Sequence, residues 1–576
     1  MTVYSPPLQD IAFTLHHITH LNTLEDIPKW QDCGLSETEN LLAEAGRLAA
    51  EVIAPLNRLG DKQGTSLNAD GNVVTPEGFA NAYRQYTDAG WTSVAAEPTY
   101  GGAGFPLVVD VAIQEMFTSA NLAFSLCPML SVGSVVAIGS HGSPEQKTRW
   151  LPPLISGKWA GTMLLTEPQA GSDVGALTTR AEAQPDGTYK LWGQKIYITY
   201  GDHDLTENIV HCVLARTPDA PLGTRGISLF IVPKRLLDAD EHPTLPNNIR
   251  CIGLEEKLGI HASPTCVMEL DGATGELVGE VNQGMRSMFT MMNKARLFVG
   301  LQGLAISEQA RQLATTFAAQ RLQGRSTSGA NHSATQVPIN EHPDVQRMLL
   351  EIQARTEAMR GMIYLNALAC DLAAAHPDPN MREEAQQRAD LLTPISKAWC
   401  SDQGVQMASL GIQVHGGMGY IEETGAAQIW RDSRIAPIYE GTNGIQAIDL
   451  VTRKLQLGEG AALKALLAEM SGLEPVLDEA IQTVSQAAAW LAQHPGNDAL
   501  AGATPFLDLL GLTIGGWVMA QAWQVARQPD HQNAQIPATA DFWAQKRTSS
   551  RFYLDQILPT APGLLPAITA GAAALR

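Results

Sequence analysis

Paired cysteines are missing from this 576-residue sequence: its seven cysteines are scattered, and no two of them form a CxxC spacing. An odd number of isolated cysteines excludes a disulfide framework, and the missing CxxC pairs exclude the common zinc sites, so no metal site is predicted. Free thiols persist in a reducing compartment, which indicates a cytoplasmic protein. The N-terminal stretch MTVYSPPLQDIAF has no basic start followed by an apolar run, and a secretory signal is therefore not predicted.

Positive charge is scarce as well, because 39 Lys and Arg residues stand against 59 Asp and Glu residues, a formal net charge of −20. That balance argues against a general nucleic-acid binder and against a protein attracted to anionic membranes. A membrane-spanning run is not predicted either. The stretch most like a membrane span, LLGLTIGGWVMAQAW at 509–523, is preceded by Asp508 and is shorter than the roughly 18–20 apolar residues that span a bilayer. We therefore predict a soluble protein without a transmembrane segment, in which this stretch forms a buried helix.

Local signatures of common cofactor and catalytic sites are missing too. The sequence contains no GxGxxG at the end of a strand, no GxxxxGK[ST], no HExxH and no GxSxG. A Rossmann dinucleotide fold is therefore unsupported. The chemistry has to be sought in less regular segments.

The periodicity of apolar residues changes along the chain and predicts a mainly α fold with a central β-domain. Helical patterns begin at Ser36, with Glu39 at capping-box spacing, and short β-prone runs separated by turns replace them in the middle of the chain. Such runs are typical of an antiparallel sheet or small barrel, and the long patterns that follow are typical of a helical bundle. The predicted parts are an N-terminal segment (1–35), an N-terminal helical domain (36–160), a middle β-domain (161–281), a C-terminal bundle (282–455) and a helical extension (456–576), with an exposed polar loop at 323–343.

Two glycine-containing segments interrupt these patterns. LLTEPQAGSDVGALTTRAE at 164–182 offers backbone N–H groups beside hydroxyls, which suits a phosphate or the edge of a flavin, although taken alone it is more simply a connector in the β-domain. QVHGGMGYIEE at 413–423 could let a ligand approach the backbone closely, although a helix C-cap is the simpler interpretation. A single histidine at a helix end, such as His415, is more often a structural partner than a catalyst.

A third segment, RDSRIAPIYEGTNGIQ at 431–446, places a carboxylate immediately before a predicted helix. Most loop carboxylates are solvated and have no special role. The neighbours of Glu440 argue against that interpretation, because Tyr439 is a residue type that buries and Thr442 or Asn443 can cap the helix. A carboxylate at the rim of a pocket can acquire the raised pKa of a general base.

These segments, together with GQKIYIT, EKLGIHASPT and MMNKAR, occur in one order over roughly residues 40–455, and in that combination the sequence resembles the acyl-CoA dehydrogenase family. The resemblance implies FAD between a middle β-domain and a C-terminal bundle. In it Glu440 falls on the catalytic glutamate, and Ala295 stands where some members carry the base instead. The implied FAD contacts are Leu165, Thr166, Gly171, Ser172, Tyr197 and Thr199, with Arg321, Gln413, Gly416, Gly417 and Thr442. The implied substrate contacts are Ser172, Arg296, Tyr439 and Gly441.

The chemistry that the resemblance implies is α,β-dehydrogenation of an acyl-CoA. Glu440 would remove the α-proton while flavin N5 takes the β-hydride, and trans-2-enoyl-CoA would form. The opening YSPPLQDIAFTLHHI and the extension are most similar to the 3-methylmercaptopropionyl-CoA dehydrogenase subgroup, which implies that substrate or a short- or medium-chain acyl-CoA, and a homodimer. An electron-transfer flavoprotein would be the electron acceptor, in fatty acid β-oxidation.

Three alternatives remain open. An acyl-CoA oxidase would use the same base but pass electrons to O₂. A DNA-associated flavoprotein of the same superfamily would carry a basic C-terminal domain, whereas residues 456–576 hold ten acidic and six basic side chains. A purely structural helical protein would bind no flavin.

Overall fold

Long apolar periodicities fold into long helices, and most of the chain is helical. The computed structural model describes residues 4–31, 33–325, 336–528 and 539–575. They form two compact units. The first contains Met1–Ala50, Pro106–Ala120 and Arg296–Arg576, and the second contains Glu51–Phe105 and Asn121–Ala295.

The second unit combines four helices with the strands of the β-domain. Apart from the first turns of the long helix that leaves it, its helices are α3 (Pro55–Gln63), α4 (Phe79–Asp88), α6 (Leu122–His141) and α7 (Pro144–Ile155). Its strands are β1 (Ser66–Leu67), β2 (Val73–Val74), β3 (Trp159–Leu164), β4 (Arg180–Ala183), β5 (Tyr189–Thr199), β6 (Asn208–Ala215), β7 (Ser228–Pro233), β8 (Arg235–Leu237), β9 (Pro243–Pro246), β10 (Ile249–Leu254) and β11 (Thr265–Val278).

The main sheet has the order β3-β6-β7-β11-β5-β4, with β10 also paired to β11. Adjacent strands in this sheet pair in the antiparallel direction, except β3 and β6. These two run parallel from Trp159↔Asn208 to Leu164↔Val213. The prediction of an antiparallel sheet is therefore wrong at this edge. The chain leaves β3, builds β4 and β5 elsewhere in the sheet, and returns in the direction of β3, because a long crossover permits parallel pairing.

The first unit is built on a bundle of long helices. Its helices are α1 (Leu8–Phe13), α2 (Leu35–Leu48), α5 (Leu107–Ala120), α8 (Gly284–Gln320, from Arg296 onward), α9 (Pro343–Ala375), α10 (Pro379–His415), α11 (Ala426–Ser433), α12 (Asn443–Thr452), α13 (Ala461–Met470), α14 (Pro475–Gln493), α15 (Asn497–Ala501), α16 (Ala503–Ala526), α17 (Ala540–Phe552) and α18 (Leu565–Thr569). Together with the sheet of the second unit, these helices confirm the predicted fold class, mainly α with a central β-domain.

Two close contacts between helices organise the bundle. Gly303 of α8 lies against the backbone of α10, where a Cβ would come within 2.0 Å of the Cys400 carbonyl oxygen. Gly404 of α10 faces Gly303 in turn. The extension helix α16 packs on α9, α10 and α12, and its Gly511 leaves room for the buried Trp399 ring. The extension is therefore packed onto the bundle rather than tethered to it.

Helix α2 begins at Leu35 with Gly34 as its N-cap and no side-chain cap, so the predicted capping box from Ser36 to Glu39 is wrong. Of the predicted polar loop 323–343, residues 326–335 lie outside the described residues.

Helices α6 and α16 are long and apolar enough to cross a membrane by length and composition alone. Burial inside the protein covers 72% of the most apolar window of α6 and 78% of that of α16. Core helices of soluble proteins pass the same test, and the stretch predicted as a buried helix lies in α16.

Candidate functional site

The turn between α11 and α12 carries Glu440 in a strained conformation. Its φ is +57° and that of Gly441 is +85°, so two consecutive residues are left-handed. For a residue with a Cβ this costs about 1–3 kcal/mol, which the surrounding structure has to offset. Thr442 does so by accepting a hydrogen bond from Ile445 N at 3.3 Å as the N-cap of α12, and Asn443 N donates to the Pro437 carbonyl oxygen at 3.0 Å. The predicted cap is confirmed, and the turn presents the Glu440 side chain at a defined place.

The charge state of Glu440 is set by burial and by two cations. Burial raises the pKa of this carboxyl to about 7, and Arg296 and Lys397 limit the rise. Arg296, itself buried, also donates from Nε to the Glu440 carbonyl oxygen at 3.4 Å. A general base works best when its pKa lies near the operating pH. The half-buried Glu440 meets that condition, and of the predicted substrate contacts the structure brings Arg296, Tyr439 and Gly441 to this turn.

Lys397 is a member of this site that the sequence analysis missed. It is fully buried in α10 and donates from Nζ to Asn443 Oδ1 at 2.7 Å. Burial lowers the pKa of this ammonium to about 7, against the opposing effect of Glu440 and Asp402. A lysine inside an otherwise apolar helical pattern, as in PISKAW, was the available signal, since lysine is almost never buried without a partner.

Tyr439 is tied to the bundle on the other side of the turn. Its hydroxyl donates to Gln302 Oε1 of α8, and burial raises the pKa of the phenol well above its usual range. The hydroxyl is therefore a neutral donor at any working pH. Gln302 was also missed, because nothing in its own neighbourhood of the sequence distinguishes it.

In the second unit, four of the predicted FAD contacts come together at the ends of β3 and β5. Ile196 N donates to the Thr166 carbonyl oxygen at 2.9 Å, and the carbonyl oxygen of Thr199 accepts from the Thr162 hydroxyl at 2.8 Å. Between them Tyr197 has a φ of +60° and a side chain that is 61% exposed. Leu165 and Thr166 are half-buried beside it. An exposed aromatic ring next to free strand ends is a surface suited to a flat ring system.

The TEPQAGSD loop beside this surface is fixed by a buried ion pair. Glu167 accepts from Lys195 Nζ at 2.9 Å and from the backbone and hydroxyl donors of Thr178 and Thr179 at 2.6 to 3.0 Å. Although burial opposes it, Lys195 and these hydrogen bonds lower the pKa of Glu167 to about 2. The pair was missed by the sequence analysis. It leaves Gly171 and Ser172 exposed at the tip of the loop.

The remaining predicted FAD contacts of the first unit lie at the far ends of α8 and α10. Gln413, Gly416 and Gly417 are exposed, and a Cβ added at either glycine would meet no atom within 4 Å. Gly416, with φ +59°, is the C-cap of α10, as the simpler interpretation of that segment predicted. Arg321 is exposed just beyond the end of α8, with Nη2 at 3.5 Å from Gln323 Oε1. None of these four belongs to the turn of Glu440.

His415 has the structural role predicted for it. Its Nδ1 lies 2.7 Å from the Gly411 carbonyl oxygen, and its ring stacks on Phe317 at 4.4 Å between centroids. The imidazole is buried and lies outside the turn of Glu440.

Family models match nearly the whole chain. Those for the N-terminal, middle and C-terminal domains of acyl-CoA dehydrogenase match residues 36–158, 162–273 and 282–455. A fourth, described as acetyl-CoA dehydrogenase C-terminal like, matches residues 455–576.

Individual proteins are similar over the same length. A 3-methylmercaptopropionyl-CoA dehydrogenase of Ruegeria pomeroyi is 45% identical, covering 94% of this chain and 96% of the relative. A butyryl-CoA dehydrogenase of Syntrophomonas wolfei is 33% identical, with 98% and 97% covered. Among solved structures, an acyl-CoA dehydrogenase of Bacillus anthracis complexed with FAD has the same fold, with a TM-score of 0.72, 22% identity, and coverage of 94% of this chain and 90% of that one. The matches extend through the extension as well as the domains that carry the turn and the β-domain surface. The chain belongs to the acyl-CoA dehydrogenase family.

Proposed function

We propose that the protein converts an acyl-CoA thioester to the trans-2-enoyl-CoA, with Glu440 as the base that removes the α-proton. The observation that carries this proposal is the half-buried carboxylate of Glu440, held in a left-handed turn with a pKa of about 7 between Arg296 and Lys397. Family membership makes the protein an acyl-CoA dehydrogenase and indicates FAD as its cofactor. When bound, FAD supplies the acceptor for the β-hydride.

The residues available to hold FAD fit that group in each unit. In the second unit, the exposed Tyr197 ring and the neighbouring strand ends would face the flavin ring, with Gly171 and Ser172 at its edge. In the first unit, no atom lies within 4 Å of a Cβ added at Gly416 or Gly417, so a ligand could approach the backbone closely there. We assign Leu165, Thr166 and Thr199 to the same role in the second unit, and Gln413, Arg321 and Thr442 in the first.

The protein's own groups divide the work at the reacting carbon. Glu440 takes the proton, and its left-handed backbone fixes where the carboxylate lies. Arg296 donates a hydrogen bond to the backbone carbonyl oxygen of Glu440, which leaves the carboxylate oxygens available to the substrate. The hydroxyl of Tyr439 is committed to Gln302 and steadies the residue before the base. The partial burial that raises the pKa of Glu440 makes the carboxylate a stronger base toward a carbon acid.

For the substrate, we propose 3-methylmercaptopropionyl-CoA or another short- or medium-chain acyl-CoA. The support is the 45% identity with a protein of that name across almost the full length of both chains. The similarity to a butyryl-CoA dehydrogenase favours a short chain as well. We assign substrate contacts to Arg296, Tyr439 and Gly441 at the turn and to Ser172 on the β-domain loop.

We further propose a homodimer in the cytoplasm that passes electrons to an electron-transfer flavoprotein, in β-oxidation. The seven cysteines are scattered along the chain and form no CxxC pair, which suits a reducing compartment. An oxidase is the competing activity. Peroxide formed in air at the rate measured with an artificial acceptor would favour the oxidase over the dehydrogenase.

Glu440→Gln tests the base directly. The amide keeps the size of the side chain but cannot accept the α-proton, so we expect anaerobic flavin bleaching by acyl-CoA to slow by about 10²–10⁴-fold while FAD stays bound. Glu384→Gln, which changes an exposed carboxylate of α10, is the matched control and should bleach at the wild-type rate. Bleaching of Glu440→Gln within a few-fold of wild type would refute the assignment. A panel of acyl-CoAs that includes the methylthio-substituted propionyl thioester would identify the substrate.

A further inference from the structure

Behind the base, Lys397 forms the centre of a buried polar group that joins α10 to the turn of Glu440. Lys397 has no exposed surface, and its Nζ donates to Asn443 Oδ1 at 2.7 Å. Asn443 Nδ2 in turn donates to the Ala398 carbonyl oxygen and to Ser401 Oγ, both at 3.0 Å. Asn443 follows the base by three residues, so one amide side chain connects the lysine to the strained turn.

Charged side chains of both signs surround Lys397. Glu440 favours the charged form of Lys397, and so does Asp402 on the same helix, whereas Arg296 of α8 opposes it. Lys397 in turn favours ionised Glu440. Farther from Lys397, Asp402 interacts electrostatically with Arg434 of the turn and with Asp508 of the extension helix α16. Arg296 interacts in the same way with Asp449 of α12 and with Arg453, the residue that follows α12.

Burying a lysine costs free energy that its hydrogen bonds and neighbouring charges have to offset. The hydrogen bond to Asn443 uses one of the three N–H donors of the ammonium. The carboxylate of Glu440 within electrostatic reach adds a consequence: the state of Lys397 and the state of the base depend on each other. An opposite charge close to a carboxyl typically favours its ionised form by about 1–3 pKa units.

We propose that Lys397 is the positioning residue of this site: its positive charge favours the ionised form of Glu440 before turnover, and its hydrogen bond to Asn443 holds the turn that aims the carboxylate. This inference rests on the proposed role of Glu440. When Glu440 takes a proton from the substrate, the partner charge of Lys397 disappears. After product leaves, the ammonium favours release of that proton from the half-buried Glu440 to solvent, which restores the ionised base.

Lys397→Met removes the charge and the donor together. We expect the midpoint of the pH profile for anaerobic flavin reduction to rise by about one pH unit or more, so that the rate at pH 7 falls about fivefold or more and approaches wild type above about pH 9. Lys397→Gln keeps a donor for Asn443 but lacks the charge, and it should show the same shift even if the methionine variant folds poorly. Lys397→Arg restores the charge and should bring the midpoint back toward wild type.

Asn443→Ala separates the two functions, because it keeps the Lys397 charge and breaks the connection to the turn. We expect a lower rate at every pH with little shift of the midpoint. Lys464→Met, at an exposed lysine of α13, is the control for the loss of one positive charge. A readout independent of turnover is the infrared band of the protonated carboxyl in the FAD-bound protein. That band is assigned by its loss in Glu440→Gln and followed with pH in each variant.

The outcomes separate this inference from the proposed function. If Glu440→Gln still bleaches rapidly, the base assignment fails and this inference with it. If Glu440→Gln is inactive while Lys397→Met and Lys397→Gln both keep the wild-type midpoint, in the rate profile and in the infrared titration, the role of Lys397 is refuted and that of Glu440 stands. A raised midpoint in both lysine variants, unchanged in Lys464→Met, supports the role.

Discussion

Replacing Glu440 with glutamine is expected to stabilise the folded protein at alkaline pH at the same time as it removes the proposed base. Burial raises the pKa of this carboxyl from 4.5 to about 7. Between these two values the unfolded chain releases its proton while the folded protein retains it, so stability falls as pH rises through this interval. Above about pH 7 the whole penalty is present, and below about pH 4.5 it is absent. Glutamine, which does not titrate, avoids it.

The size of the gain follows from the shift. One pKa unit corresponds to about 1.4 kcal/mol, so the full shift amounts to about 3 kcal/mol. The carboxylate is half-buried, and solvent screens part of its charge, which reduces the expected gain to about 1–3 kcal/mol at pH 8. The left-handed φ of residue 440 is shared by both proteins and cancels in the comparison.

The assay is the urea midpoint of the FAD-bound proteins, at equal FAD concentration, at pH 5 and pH 8. Equal cofactor is needed because any ligand bound to the folded state alone shifts the midpoint. Glu440→Gln should unfold at higher urea than wild type at pH 8, and the difference should shrink at pH 5. The exposed Glu384→Gln should match wild type at both values. Equal midpoints for Glu440→Gln and wild type at pH 8 would refute the argument that burial strains the ionised base.

Two further predictions concern the bundle. Arg360→Met should lower the stability of the protein by about 3–5 kcal/mol. The Nη2 of the buried Arg360 lies 2.6 Å from Glu115 Oε1, and its removal leaves buried carboxylates without their cation. Arg347→Met, at a half-exposed arginine of the same helix, should cost under about 1 kcal/mol in the same urea titration, and equal losses would contradict the argument. Gly303→Ala should lower the thermal midpoint by an amount equivalent to about 1–3 kcal/mol, because its Cβ meets the backbone of α10. Gly444→Ala, in open space on α12, should leave it unchanged or raise it.

What the sequence predicted well depends on residues that are neighbours along the chain. Thr442 caps the helix that follows it, Gly416 ends α10, and the apolar run within α16 is a buried helix, all within a few residues of the patterns that predicted them. The same kind of local pattern, a tyrosine before it and a helix start after it, singled out Glu440, whose role as the base stays a prediction. Local patterns carry such features because capping and periodicity act over one or two turns.

The partners that adjust the site were not predictable in this way. Lys397 is 46 residues from Asn443, and Gln302 is 137 residues from Tyr439, so their pairing exists only once the bundle has formed. The buried pair of Glu167 with Lys195 joins two strands 28 residues apart. The parallel pairing of β3 with β6 was not predicted for the same reason. Strand periodicity shows which residues face the core, but it does not show which strands are neighbours in the sheet.

The contact between Gly303 and Gly404 fixes more than the distance between two helices. Arg296 precedes Gly303 by seven residues along α8, and Lys397 precedes Gly404 by the same seven along α10. With α9 between them in the chain, α8 and α10 run in the same direction, so both cations stand about two turns from the crossing at one level of the bundle. The close crossing of α8 and α10 at these two glycines therefore sets how Arg296 and Lys397 are placed beside Glu440. Substitutions elsewhere in the protein that preserve this crossing should therefore leave both cations in place beside Glu440.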